Sequence, residues 1–206
     1  MTGLLAASVA PLAFFVFDTR AARAGRLPDE WRIKVNRGSP EVAVIDEPQG
    51  AVIRLKSSRS SFALERAVDI DPERLPYLTW RWKVARLPTG GDFRQATTDD
   101  QAAQILVAFT DRRILNYLWD STAPKGTIQS VTSLPLLHIF AVVCRSGPAE
   151  MNQWLSESRN LTHDYQKAFG HRPPRLKGIR LQINTQHTGS SAESYFGDVA
   201  FRNAPF

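Results

Sequence analysis

From residue 41 onward the sequence is written in short apolar runs cut by turn-forming residues. This rhythm restricts the fold more than any other feature. EVAVID (41–46) stops at Pro48-Gln49-Gly50, AVIRLKS (51–57) stops in serines, and SFALERAVDI (61–70) stops at Asp71-Pro72. YLTWRWKVARL (77–87), AAQILVAFT (102–110), RILNYLW (113–119), LLHIFAVVC (136–144), GIRLQIN (178–184) and SYFGDVAFRN (194–203) complete the series. β-branched and aromatic residues fill the runs, and Pro, Gly, Asp and Ser fill the gaps, as strands and turns require. Asp111-Arg112 predicts a tight hairpin turn. No helices separate the runs, which argues against a doubly wound α/β fold. The expected class is all-β, a two-sheet antiparallel β-sandwich of jelly-roll type.

One segment breaks the rhythm. NLTHDYQKAFG (160–170) predicts a short helix near 162–169, with Thr162 as N-cap and Asp164 in the first turn. Leu161, Tyr165, Ala168 and Phe169 share a face. Gly170 supplies the left-handed end, and Pro173-Pro174 forbid continuation. EMNQWLSES (150–158) is open between strand and helix. Two long polar stretches, 88–101 and 120–135, have the length at which loops acquire function.

The chain has 206 residues and reads as one domain over 25–206. Residues 4–17, LLAASVAPLAFFVF, form an apolar run that Pro11 interrupts. Followed by AARA ending at Ala24, the run predicts a signal peptide or apolar leader over 1–24, and so an exported, periplasmic protein. No Lys or Arg precedes the run, and the alternative is a buried N-terminal helix or strand. The net charge of +6 is scattered rather than blocked. That pattern argues against a nucleic-acid arm and suits anionic polymers or lipid head groups, with membrane contact only if the leader is retained.

The chain contains no Walker loop, GxGxxG, HExxH or GxSxG. His138, His163, His171 and His187 lack zinc-site spacing. Cys144, the single cysteine, lies in an apolar run and reads as buried and inert. Asp99-Asp100, with Asp92 upstream, is the densest acidic cluster. It suits a turn, an arginine pair or a structural Ca²⁺, and no other cofactor is implied.

Strand parity says more. Leu78, Trp80, Trp82 and Val84 share one face and predict core anchors, while Arg81 and Lys83 face the other way. Ile179, Leu181 and Ile183 oppose Arg180, Gln182 and Asn184. If the two polar faces share a sheet, Arg81, Lys83, Arg180, Gln182 and Asn184 form a patch for an anionic or polyhydroxyl ligand. Tyr117 and Trp119 would stand at its rim, stacking on a ligand or stapling a loop to the core. AAQILVAF and LHIFAVV are apolar on both faces, so they are expected to be central or loop-covered.

LPYLTWRWKV, DDQAAQILVAF, NYLWDSTAPKGT, RNLTHDYQKAFG and GIRLQINTQHTGSSAESYFGDVAF, in this order, resemble the bacterial family catalogued as domain of unknown function 3047. The resemblance spans about residues 30–204. It implies a single domain and an exported leader, and it carries no activity. The chain departs from the family at Asn184-Thr185-Gln186-His187-Thr188, where relatives tend to be acidic, and this weakens any cation site there. The closing YFGDVAF is similar to the last strand of galactose-binding-like jelly rolls, an analogy of fold alone. The leading expectation is therefore a non-catalytic binding module for a glycan or other polar cell-envelope ligand. The alternatives are a carbohydrate-active hydrolase or lyase using Asp99 or Asp100 with His187, and a structural partner of an envelope complex.

Overall fold

Strands form where alternation turns every second apolar side chain toward a common core. The computed structural model describes residues 12–132 and 137–206. In chain order the strands are β1 (Ala13–Phe17), β2 (Trp31–Arg37), β3 (Glu41–Glu47), β4 (Gly50–Ser58), β5 (Ser61–Ile70), β6 (Tyr77–Arg86) and β7 (Ala103–Phe109). β8 (Arg113–Asp120), β9 (Ile128–Thr132), β10 (His138–Ser146) and β11 (Leu155–Asn160) follow, then helix α1 (Leu161–Phe169), β12 (Leu176–Asn184) and β13 (Ser191–Arg202). They form two sheets. The smaller runs β11-β6-β13-β4-β3 with β1 added on β13, and the larger runs β2-β5-β12-β7-β8-β10-β9.

The expected β-sandwich is the fold. Among the described residues every strand pairing is antiparallel except β8 with β10. That exception arises because β9, inside a stretch that reads as loop, moves to the sheet edge and lets β10 return between it and β8. The chain also uses β2 and β11 as edge strands, and EMNQWLSES resolves into strand over Leu155–Asn160. Arg112 takes a positive φ in the β7–β8 hairpin, as the Asp111-Arg112 turn requires.

The core is aromatic where the sheets meet. Trp80 and Trp82 are fully buried and meet edge-to-face at 5.3 Å. Trp80 packs on Tyr117 at 5.5 Å, and Trp82 on Trp119 at 5.9 Å, so the smaller sheet interlocks with the larger through two ring pairs. Cys144 is buried, and desolvation pushes its thiol up to about 12, which leaves it protonated and unreactive.

The helix begins at Leu161, with its cap two residues before the one its sequence signals indicate. Asn160, rather than Thr162, is the N-cap, accepting from the His163 backbone N–H at 2.9 Å. Gly170 closes the helix at φ 80°. Asp164 in the first turn accepts two bonds from Arg159 at 2.9 Å and one from the Tyr117 hydroxyl at 2.8 Å. Tyr165 packs between Phe109 and Phe169.

Part of the apolar leader belongs to the sandwich. β1 pairs with β13 and buries Val16 and Phe17. After it, the backbone N–H and hydroxyl of Thr19 both donate to Asp198 of YFGDVAF, at 2.9 and 2.8 Å. Gly197 and Asp198 form a bulge in β13, which aims the carboxylate at this segment. Residues 1–11 of the leader and residues 133–136 of the second long stretch lie outside the described residues.

Candidate functional site

The five-residue polar patch expected from strand parity does not exist. Arg81 and Lys83 lie on β6 in the smaller sheet, and Arg180, Gln182 and Asn184 lie on β12 in the larger. Both strands turn their apolar residues into one shared core, so their polar faces point away from each other. Tyr117 and Trp119 are not at a rim either. Both are fully buried, Tyr117 bonded to Asp164 and Trp119 donating from Nε1 to the Gly147 carbonyl at 3.1 Å. Burial beside the Asp164 charge holds the Tyr117 hydroxyl well above its ordinary range, as a neutral donor.

Arg81 and Lys83 are engaged where they stand. The Lys83 ammonium is 2.7 Å from Glu47, 4.4 Å from the Tyr195 ring centre and 5.2 Å from that of Trp154. The Arg81 guanidinium lies 5.4 Å from the Trp154 ring.

The outer face of the larger sheet is different. In its central register, Arg180 of β12 opposes Leu106 of β7, which opposes Asn116 of β8; Gln182, Gln104 and Leu118 form the next row. Leu106 and Asn116 are only 8% and 7% exposed, although their side chains point out of the sandwich. In the neighbouring row, Leu118 is covered by the 88–101 loop, whose Phe93 clusters with it and with Ala123, Ala141 and Val143. Beside it lies an open recess of about 220 Å³, floored by Gln104, Leu106, Asn116 and Gln182 and edged by Asp99 and Asn184.

A chain of amides runs along this floor. Asn116 Nδ2 donates to Gln104 Oε1 at 3.0 Å, and Gln104 Nε2 donates to Asn184 Oδ1 at 2.7 Å. Asn184 Oδ1 also accepts the Gln101 N–H at 3.0 Å, and its Nδ2 donates to the Asp99 carbonyl at 2.7 Å. With every amide oriented this way, the chain ends on an acceptor, Asn116 Oδ1, which is buried and has no partner among the described residues. A buried acceptor without a donor is costly, of order 1–3 kcal/mol, and this one is closed off beneath the floor rather than open to the recess.

Asp99, Asp100 and His187 do converge, at the end of this recess. Both Asp100 oxygens are occupied: the His187 N–H donates at 3.3 Å and the Thr188 N–H at 2.6 Å. His187 Nδ1 lies 3.0 Å from the Asp99 carbonyl oxygen and 3.5 Å from Asp100. Asp100 therefore ties the 88–101 loop to the turn after β12. Gly91 completes the closure, since a Cβ there would stand 2.3 Å from the Asp100 carbonyl oxygen. Asp92 has a separate role. Its hydrogen bonds from Arg94 hold its carboxyl down at about 2. Asp99 alone faces the recess, and burial raises its pKa, partly opposed by the Gln101 side-chain amide. Among the described residues no three His, Cys, Asp or Glu side chains group as a metal site.

Gln104, Asn116 and Phe93 are floor and wall residues that parity alone did not single out. The available signal was an amide inside each of two otherwise apolar runs, AAQILVAF and RILNYLW.

Among solved structures, the chain is similar to the xyloglucanase domain of NopAA, a type three effector from Sinorhizobium fredii, solved with cellobiose. The identity is 6% and the TM-score 0.52, over 86% of this chain and 96% of that one. It is also similar to the family 11 carbohydrate-binding module of a Clostridium thermocellum cellulase, at 7% identity and TM-score 0.48, covering 92% and 93%. The family 11 xylanase from Neocallimastix patriciarum aligns at 11% identity and TM-score 0.42, covering 95% and 98%. At such identities the likeness is one of fold. No curated protein matches the sequence. The family model described as "Protein of unknown function (DUF3047)" matches residues 29–200, and the chain belongs to that family.

Proposed function

We propose that the protein is a glycan-binding module that seats its ligand in the recess on the outer face of the larger sheet. The observation that carries this reading is the recess itself, in which a row of side-chain amides lies beside apolar Leu106. Sugars present the matching chemistry, with hydroxyls for amides and C–H faces for apolar side chains. The fold shared with the cellobiose-bound domain is consistent with this reading. Export remains part of the proposal. β1 pairs with β13, so a cleavage before Ala13 would leave both sheets as they stand.

The non-catalytic part of the reading rests on carboxylate supply. Glycoside hydrolysis generally needs two carboxyl groups across the scissile bond. Asp99 is the one carboxyl among the residues lining this recess, and Glu65, which lines the adjoining one, is paired with Arg180. Asp100 is occupied by backbone donors. A second reading, a carbohydrate-active enzyme using Asp99 or Asp100 with His187, is favoured by the convergence of these residues and by the raised pKa of Asp99.

Affinity electrophoresis and calorimetry against a panel of soluble oligo- and polysaccharides test the proposal. Gln182→Ala is expected to weaken binding about tenfold, the loss of one or two good hydrogen bonds, with Tm unchanged. Arg81→Ala is expected to bind like the parent protein. Absence of binding to any saccharide, or loss of binding on the Arg81 side alone, would overturn it.

A further inference from the structure

The groove does not stop at the amide floor. A second recess, of about 290 Å³, adjoins the first and shares Leu106 with it. Its floor is Ala67, Gly178 and Ala108, three small residues in register across β5, β12 and β7. Gly178 has no backbone reason to be glycine. Its φ is not in the left-handed region, and a Cβ would meet only the Arg66 carbonyl oxygen, at an ordinary 3.5 Å. A glycine in a strand interior weakens the strand, and one without a conformational cause suits the close approach of a ligand.

The walls of this second recess are cationic. A bulge between Leu176 and Gly178 lets Leu176 stay in the core while Lys177 turns to the groove side. Arg180 stands next to it, and Arg32 and Lys34 extend the same outward rows on β2. One carboxylate serves this strip. Glu65 pairs with Arg180 and lies 3.7 Å from Lys34. Arg66 is held by the Val16 carbonyl and lies 3.9 Å from Glu30. Lys177 and Arg32 have no ion-pair partner among the described residues.

Building on the glycan reading, we propose that the ligand is an acidic polysaccharide. A uronate carboxylate sits in the Lys177–Arg180 recess over Gly178, while neighbouring hydroxyls meet the Gln182–Asn116 floor. The row Arg180–Leu106–Asn116 is continuous across both recesses, so one sugar chain lying along it meets the cations and the amide floor together. Asp99 at the far end of the groove would repel a second carboxylate when ionised, so the site reads one chain direction.

Calorimetry with oligogalacturonate, oligomannuronate and glucuronate-bearing xylan, each beside its carboxyl-reduced neutral counterpart, tests the proposal. One of the uronate forms is expected to bind about tenfold or more tighter than its reduced partner, as a charge-assisted bond would give. That preference should shrink as salt is raised. Lys177→Glu with Arg180→Gln should abolish the preference. Gly178→Ala, which the backbone accepts, should weaken binding severalfold with the melting temperature kept. Equal binding of charged and neutral forms overturns the acidic-ligand inference and leaves the glycan groove standing. Binding of no saccharide overturns both. A preference that survives in a folded Lys177→Glu, Arg180→Gln protein overturns the assignment of the cationic recess.

Discussion

The two outer faces of the sandwich are built from the same alternating strands, yet around Lys83 on the smaller sheet the face is filled and around Leu106 and Gly178 on the larger it is hollow. On the smaller sheet, Lys83 and Arg81 meet Glu47, Trp154 and Tyr195, so their charges and rings satisfy one another. On the larger sheet, short side chains such as Ala67, Ala108 and Gly178 and a row of amides leave space, and one acceptor is left without a donor. Polarity alone does not distinguish a binding surface from an ordinary one. What distinguishes them is whether the polar groups have already been matched within the protein.

The largest expected effect tests the frame common to both faces. Trp82→Ala, which removes a fully buried ring packed on Trp80 and Trp119, should cost about 3–5 kcal/mol in chemical denaturation. Near-parent stability would show that the two faces do not share one rigid core. Next comes Asp120, whose fully buried carboxylate accepts the Phe93, Thr122 and Ala123 N–H groups at 3.0, 2.9 and 2.7 Å. Asp120→Ala should cost about 3 kcal/mol by stranding these donors. It should also loosen the 88–101 wall, read as faster hydrogen exchange at Phe93, without changing exchange around Trp154. Uniform loosening would erase the contrast between the faces.

Asp99 sharpens the contrast through pH. Burial raises its folded-state pKa above that of the unfolded chain, so the folded protein holds this proton more tightly. The stabilising contribution is therefore full at low pH and is lost as pH rises through the folded pKa. Asp99→Asn keeps an acceptor for Gln101 and should raise Tm by about 2 °C at pH 7, with the gain gone near pH 3. A gain at acid pH instead would contradict the direction of the shift. The smallest effect belongs to the filled face. Arg81→Ala should change stability by about 0.5 kcal/mol, the scale of one exposed cation–π contact. A larger loss in thermal denaturation would mean that the Trp154 cluster braces the smaller sheet.

The sequence by itself determined the inward face of the strands that alternate cleanly, β6 and the body of β12. Leu78, Trp80, Trp82 and Val84, and likewise Ile179, Leu181 and Ile183, are buried as their alternation demands. It also determined the helix and its Gly170 end, because caps and turns act over a few residues. Edge strands β2 and β9 were hard to read because β2 is mostly exposed and β9 lies within a polar stretch, so burial patterns them weakly. Only the tertiary structure decided which polar faces belong together. Arg81 and Arg180 have the same local pattern, and long-range pairing alone sends them to opposite sides of the sandwich. The same holds for Gln104 and Asn116. As isolated amides in apolar strands they say little, and they become a hydrogen-bonded floor only when β7 and β8 pair in register beside Asn184 of β12. Alternation is a property of one strand, whereas a site is a property of several strands at once.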